Sequence, residues 1–253
     1  MLLVIILIRD RSLLRVQLRD MWMFVGTGII SVTLFSYCYF TTVINVEAGI
    51  AASLLYTSPV FVMLFSAVLF RERITAQKIA AIVLTVSGVA LVSGMLGSSA
   101  LGALDLIIGI GAGLFYSLYS IFGVYALRKS SSLTVTFYTF LLGTIGFRFM
   151  TNPIAIIEKT ASNPVVIPME IGLALFNGLL PYLFYTIGLG HTDASVAGVL
   201  VAVEPLVGCL VGIFVFHESV NPAKLIGITL ILSAIVLLNI RLSHKSTAKE
   251  IPA

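Results

Sequence analysis

The sequence predicts an all-α integral membrane protein built from two inverted helical repeats, and three observations carry that expectation. The first is composition. Of 253 residues, 59% are hydrophobic and 10% are charged, and the mean hydropathy is +1.11. A soluble domain of this size needs roughly 25% charged residues for its surface, whereas a surface facing lipid needs almost none. The second is the gathering of apolar residues into long runs. The third is a repeat at a shift of 146 positions, which lays Pro59 on Pro205.

A spanning helix takes about 20 mostly apolar residues, and Pro, Gly and charge mark where such runs stop. Eight runs result, near 21–44, 47–70, 75–95, 101–127, 133–150, 168–190, 194–216 and 222–241, with ends good to about four residues. Ahead of them, Met1 to Ile8 is wholly apolar but reaches only about 12 Å at 1.5 Å per residue. It reads as the tail of a spanning helix, or else as a cleaved or re-entrant segment. Secretory signals carry positive charge before their apolar stretch. Here Arg9, Arg11, Arg15 and Arg19 follow it, which favours the tail of a span.

The net charge of +4 does not indicate nucleic acid, because the basic residues fall in short clusters between apolar runs. Cytoplasmic loops hold the Lys and Arg excess. With alternating helices, one side carries Arg9, Arg11, Arg15, Arg19, Arg71, Arg73, Lys78, Arg128, Lys129, Arg241, Lys245 and Lys249, which is 12 of the 15 basic residues; Arg148, Lys159 and Lys224 fall on the other. The C-terminus is therefore expected in the cytoplasm of a cell bounded by this plasma membrane, with Trp22 as an interfacial anchor. Cys38 and Cys209 sit inside apolar runs, without CxxC spacing, and read as packing residues.

The repeat extends in both directions from the prolines. Tyr39 falls on Tyr185, Ala48 on Ala194, Ala51 on Ala197, Phe70 on Phe216, Glu72 on Glu218, Lys78 on Lys224 and Ser87 on Ser233. Shared Leu and Ala are cheap in an apolar chain, but Pro, Glu, Lys and Tyr in ungapped register indicate a common origin. The run 47–70 maps onto 194–216, five spans later, and an odd step inverts the second copy in the bilayer. The expected domains are 1–97 and 98–241, with a tail at 242–253. The plan is a ten-helix bundle lacking about one and a half N-terminal helices.

The stretches AGIAASLLYTSPVFVMLFSAVLFRE (Ala48 to Glu72) and ASVAGVLVAVEPLVGCLVGIFVFHE (Ala194 to Glu218) resemble the EamA-type branch of the drug/metabolite transporter superfamily. Its repeats carry an Ala-rich helix, a mid-helix Pro and a closing Glu. The resemblance covers nearly the whole chain. It implies a five-plus-five inverted bundle around a central cavity, alternating access, and small organic substrates such as amino acids, metabolites or drugs. Where the family places Gly before the closing Glu, this chain has Arg71 and His217.

Glu204 stands near mid-bilayer, where an ionisable group is costly and usually turned inward. Either it couples transport to a proton or cation, or it hydrogen-bonds backbone freed by Pro205. Ser58 holds the register-related position. Pro59 and Pro205 expose carbonyls of the kind that build transport sites in broken helices, or merely kink for packing. Glu72 and Glu218 read as caps or ion-pair partners of Lys78 and Lys224. Tyr56, Tyr116, Tyr119, Tyr182 and Tyr185 could line a cavity or bond between helices. Asn177, Pro181 and Tyr185 share four-residue spacing and hence one helix face. Gly109, Gly111 and Gly113 lie inside a span without a preceding strand, so close packing is favoured over dinucleotide binding.

No HExxH or GxSxG motif occurs and the three His stand apart from any nucleophile, which disfavours an enzyme. No cofactor or metal is expected. A secondary carrier of small solutes, exporting them through the lipid bilayer with possible proton coupling, is the expectation. A non-transporting or decayed membrane protein is the alternative. Substrate and oligomeric state are not legible.

Overall fold

The computed structural model describes residues 2–46, 48–92, 102–215, 217 and 222–246. Among them every regular element is helical. The repeat partners Phe216 and Glu218, the expected boundary between 97 and 98, and the end of the tail lie outside the described residues.

Five stretches are long and apolar enough to cross a membrane: Leu18–Asn45, Ala48–Leu69, Ala103–Leu127, Pro164–Leu189 and Ala194–Val211. They comprise α2 (Met21–Val25), α3 (Leu34–Asn45), α4 (Ala48–Leu55), α5 (Ser58–Leu69), α7 (Ala103–Leu127), α10 (Ile167–Leu173), α11 (Leu180–Leu189), α12 (Ala194–Leu200) and α13 (Val203–Phe214). The shorter apolar helices α6 (Ala76–Val92) and α14 (Pro222–Ser246) fill the remaining C-terminal run of each half, and α1 is the stub Leu2–Arg9. The run 133–150 forms α8 (Ser132–Arg148), which is followed after a bend of 99° by α9 (Pro153–Ser162).

Helix α9 falls between the predicted runs 133–150 and 168–190. Asn152 accepts bonds from the amides of Ile154 at 3.2 Å and Ala155 at 3.4 Å, ahead of Pro153 in the first turn. An Asn cap followed by Pro is a strong helix start.

Two of the eight runs are not continuous. A turn at Tyr56 and Thr57 separates α4 from α5, and one at Val201 and Ala202 separates α12 from α13. Pro59 and Pro205 therefore do not interrupt helix interiors, as their mid-run placement suggests. Each occupies the first turn of the helix after the break, where backbone N–H groups have no intrahelical partner to lose. Two other runs each carry a π-helical turn, Gly26–Thr33 and Ala174–Leu179, again at related positions.

The chain forms two compact units. One comprises Met1–Tyr37 and Leu118–Thr192, the other Cys38–Ser117 and Asp193–Ala253, so each draws on both sequence repeats. In the first, Met23, Phe24, Ala126 and Val135 form a buried cluster. The π turn lies so close to α8 that a Cβ on Gly28 would stand 2.6 Å from the Thr139 carbonyl. Thr139 there donates to Thr27 at 2.7 Å.

In the second unit α6 packs along α14. A Cβ on Gly88 would meet the Gly227 carbonyl at 2.8 Å, and one on Gly227 would meet the Gly88 carbonyl at 2.7 Å. Backbones this close admit only glycine. The register sends Gly88 to Ala234 and Gly227 to Ala81, and those two alanines are fully buried in one cluster. Gly109 and Gly113 also pack tightly, against Leu54 and the Leu55 carbonyl.

Arg71 and His217, the two departures from the family's Gly, both adopt φ 54°. They are 146 positions apart, and Arg71 directly follows α5, where the Glu72 amide turns back to the Ser66 carbonyl at 3.2 Å. A side chain in this left-handed region costs about 1 kcal/mol, which glycine does not incur. Arg71→Gly is expected to raise the thermal midpoint in detergent and Arg71→Val to lower it; the reverse order would show that the turn is not strained.

Candidate functional site

In the second unit, the two helix breaks bring their flanking residues together. Tyr56, in the first break and 5% exposed, donates its hydroxyl to Glu204 Oε2 at 2.9 Å. Glu204 is the second residue of α13 and is exposed, so one carboxylate oxygen is held while the group stays accessible. A hydrogen bond to a charged acceptor contributes about 1.5–3 kcal/mol, and the start of a helix favours a negative charge. The partner of Glu204 is thus a side chain of the other break rather than backbone near Pro205. Tyr56 packs with Val89, Ala202, Leu206 and Ile231. Ser58 and Pro59, at the start of α5, are buried, and Pro205 is half-buried.

The breaks differ in how tightly they are covered. A Cβ on Gly198 of α12 would lie 3.3 Å from Val62 Cβ of α5. The register-related pair is Ala52 with Gly208, and among the described residues no atom beyond its own helix backbone and chain neighbours comes within 4 Å of a Cβ on Gly208. One contact is made and its counterpart is not.

The made contact is fastened by Glu72. Its carboxylate accepts from the Ala194 amide at 3.1 Å and from the Ser195 hydroxyl, capping α12. Lys78 bridges Glu72 at 2.9 Å and Asp193 at 3.2 Å. The Glu72 and Lys78 side chains are only 14% and 13% exposed. The cap therefore joins the end of one repeat's broken helix to the start of the other's. Lys78 was foreseen as the partner of Glu72; Asp193 and Ser195 were not, because a contact between segments over 100 residues apart leaves no spacing to read.

The first unit holds a separate polar aromatic cluster. Thr186 donates to the Tyr182 carbonyl at 2.6 Å, so its single proton is used and the Tyr119 hydroxyl donates to Thr186, also at 2.6 Å. Ser120 and Tyr185 share a bond of 2.7 Å. The Tyr119 ring lies 5.1 Å from Tyr182 and 6.0 Å from Tyr185, and Phe140 stands 5.3 Å from Tyr182. Ser120 and Thr186 escaped the sequence reading because isolated hydroxyls in apolar runs carry no pattern.

Tyr116 is half-buried on α7 and belongs to the second unit. Asn177 is exposed on the π turn Ala174–Leu179, and Pro181 is exposed as well. Pro181 and Tyr185 lie within α11, four residues apart on one α-helix, while Asn177 precedes them on the π turn. The candidate residues thus fall into a Tyr56–Glu204 group and a Tyr119–Tyr182–Tyr185 group, with Tyr116 and Asn177 in neither.

Residues 1–94 and 104–240 match the EamA-like transporter family. An uncharacterized transporter of Archaeoglobus fulgidus is 29% identical over 79% of this chain and 70% of its own length. The threonine/homoserine exporter RhtA of Escherichia coli strain K12 is 24% identical over 85% of this chain and 70% of its own. One solved crystal structure superposes with a TM-score of 0.72 at 18% identity, covering 94% of this chain and 82% of that one, a likeness of fold. With the match spread over both halves of the sequence and its helices of membrane-spanning length, this multi-pass membrane protein belongs to the EamA-like transporter family.

Proposed function

We propose that the chain is a proton-coupled secondary exporter of small polar organic solutes of the amino-acid class, working by alternating access of two inverted repeats, 1–97 and 98–241. The plan is that of a ten-helix bundle with five helices per repeat. It works in the plasma membrane with the tail 242–253 in the cytoplasm. The observation that carries the reading is the pair of register-related helix breaks joined by Tyr56 and Glu204. Discontinuous helices meeting in a bundle are how carriers present charge and free backbone groups to a solute. The relative named as a threonine/homoserine exporter supports the substrate class.

Glu204 takes a proton from one side, weakening its hold on the Tyr56 hydroxyl, and gives it up on the other. The made Gly198–Val62 contact and the unmade Ala52–Gly208 contact correspond to one of two states, which exchange these roles. Within the unit that holds Glu204, Ser58 and Tyr116 are proposed as further substrate contacts; in the other unit Tyr119, Tyr182, Tyr185 and Asn177 are proposed, separately, as candidate substrate-binding residues. In proteoliposomes under an imposed pH gradient, labelled threonine or homoserine is expected to accumulate against its gradient and to stop when the gradient is dissipated. No accumulation of any member of an amino-acid panel in either orientation of the gradient would overturn the reading.

A further inference from the structure

The segment between α1 and α2 faces outward with two kinds of side chain that neither water nor hydrocarbon alone suits. Arg11, Arg15 and Arg19 are exposed, and between them Leu18 is 90% exposed. Trp22, four residues after Leu18, is 50% exposed. Leu18 left in water forgoes about 1.5–3 kcal/mol of burial. Cationic heads around an exposed Leu and Trp match the boundary between lipid headgroups and acyl chains.

The segment is also fixed in place. Tyr138 donates to the Leu14 carbonyl at 2.7 Å, and Thr134 donates to the Leu13 carbonyl at 2.9 Å. Lys129 bonds Asp20 at 2.5 Å, and Asp20 is 8% exposed. Asp10 is occupied by the Ser12 amide at 2.8 Å and the Ser12 hydroxyl at 2.7 Å. Both acids of the segment are thus engaged by donors of the protein. The Trp22 ring lies 5.5 Å from that of Tyr125, tilted by 58°.

We propose that residues 10–22 form an anionic-phospholipid site, in which Arg15 and Arg19 hold a headgroup phosphate while Leu18 and Trp22 enter the upper acyl region. The site is independent of the transport reading and rests only on the membrane embedding of the family. Anionic headgroups draw juxtamembrane Lys and Arg with an affinity that grows by roughly fivefold for each cation.

Trp22 is the sole tryptophan, so intrinsic fluorescence reports this site alone. The full chain is reconstituted in phosphatidylcholine bilayers containing either brominated phosphatidylglycerol or brominated phosphatidylcholine, whose acyl bromines quench nearby indole. The expected result is a lipid-binding ratio at Trp22 favouring phosphatidylglycerol by about 25-fold, fivefold for each of Arg15 and Arg19. The ratio falls to near one in the double variant Arg15→Gln/Arg19→Gln and is unchanged in Arg148→Gln, a control basic residue. Retained thermal midpoints show that each variant is folded. Equal quenching by the two lipids, or a preference that survives the double variant, would overturn the proposal. Loss of the preference on adding inorganic phosphate to the buffer would do so too, since a soluble anion would then be the ligand.

Discussion

A disulfide between cysteines placed at Val62 and Gly198 is expected to stop transport, and its reduction to restore it. The background replaces Cys38 and Cys209, neither of which is in a disulfide, with alanine. A Cβ at position 198 lies 3.3 Å from that of Val62, close to the roughly 3.5–4.5 Å that a disulfide requires, so the bond should form when an added oxidant, such as diamide, takes up the two electrons and two protons of the thiols. It would freeze the state in which α12 packs on α5 beneath the Glu72 cap. Alternating access requires that contact to open once per cycle, so the oxidised protein should lose at least ~90% of its flux, as expected when an obligatory conformational step is blocked. The register-related pair Ala52→Cys/Gly208→Cys makes the reciprocal test. It should cross-link slowly at rest, where Ala52 is not among the atoms within 4 Å of a Cβ on Gly208, and faster during pH-driven turnover. Full flux through the oxidised 62–198 protein would sink the two-state reading, as would a 52–208 pair insensitive to turnover.

The helical runs and the 146-residue register were legible because both are local or translational signals: apolar length in one case, ungapped Pro, Glu, Lys and Tyr in the other. The helix breaks were legible only approximately. Proline marks a region where a helix is interrupted, but it prefers the first turn after the interruption, which displaces the break to Tyr56 and Thr57 before Pro59 and to Val201 and Ala202 before Pro205. The π turns were not legible, since no spacing of residue types sets Gly26–Thr33 or Ala174–Leu179 apart from an α-helical run. Contacts between distant segments were beyond reach for a related reason. Glu72 could be paired with Lys78 six residues away, but not with the amide of Ala194. Glu204 could be singled out by its cost in a membrane, but not matched to Tyr56 rather than to backbone near Pro205. The positive φ at Arg71 and His217 was foreshadowed, because both stand where the family's repeats carry glycine.

Replacing Glu204 by Gln is expected to separate transport from the proton. Gln keeps the shape and the bond from Tyr56, whose hydroxyl can donate to an amide oxygen as it does to Glu204 Oε2 at 2.9 Å. It removes the ionisation. A permanently neutral side chain stands in for the protonated carboxyl, so the variant should still exchange solute down its gradient while accumulation driven by a pH gradient falls by roughly tenfold or more, the range expected when a proton-transferring group is lost. Its rate should also become independent of pH across the range in which the native protein responds. Tyr56→Phe makes the complementary change: the carboxyl remains but one oxygen loses its donor, so coupling persists with an altered pH profile. Gln turns a charge-assisted bond into a neutral one and removes the charge at the start of α13, so Glu204→Gln should lower the thermal midpoint in detergent by a few degrees, the shift that about 1 kcal/mol produces, while leaving the protein folded. An unchanged pH dependence in Glu204→Gln, with the protein folded and transporting, would assign Glu204 to packing and move the coupling group elsewhere.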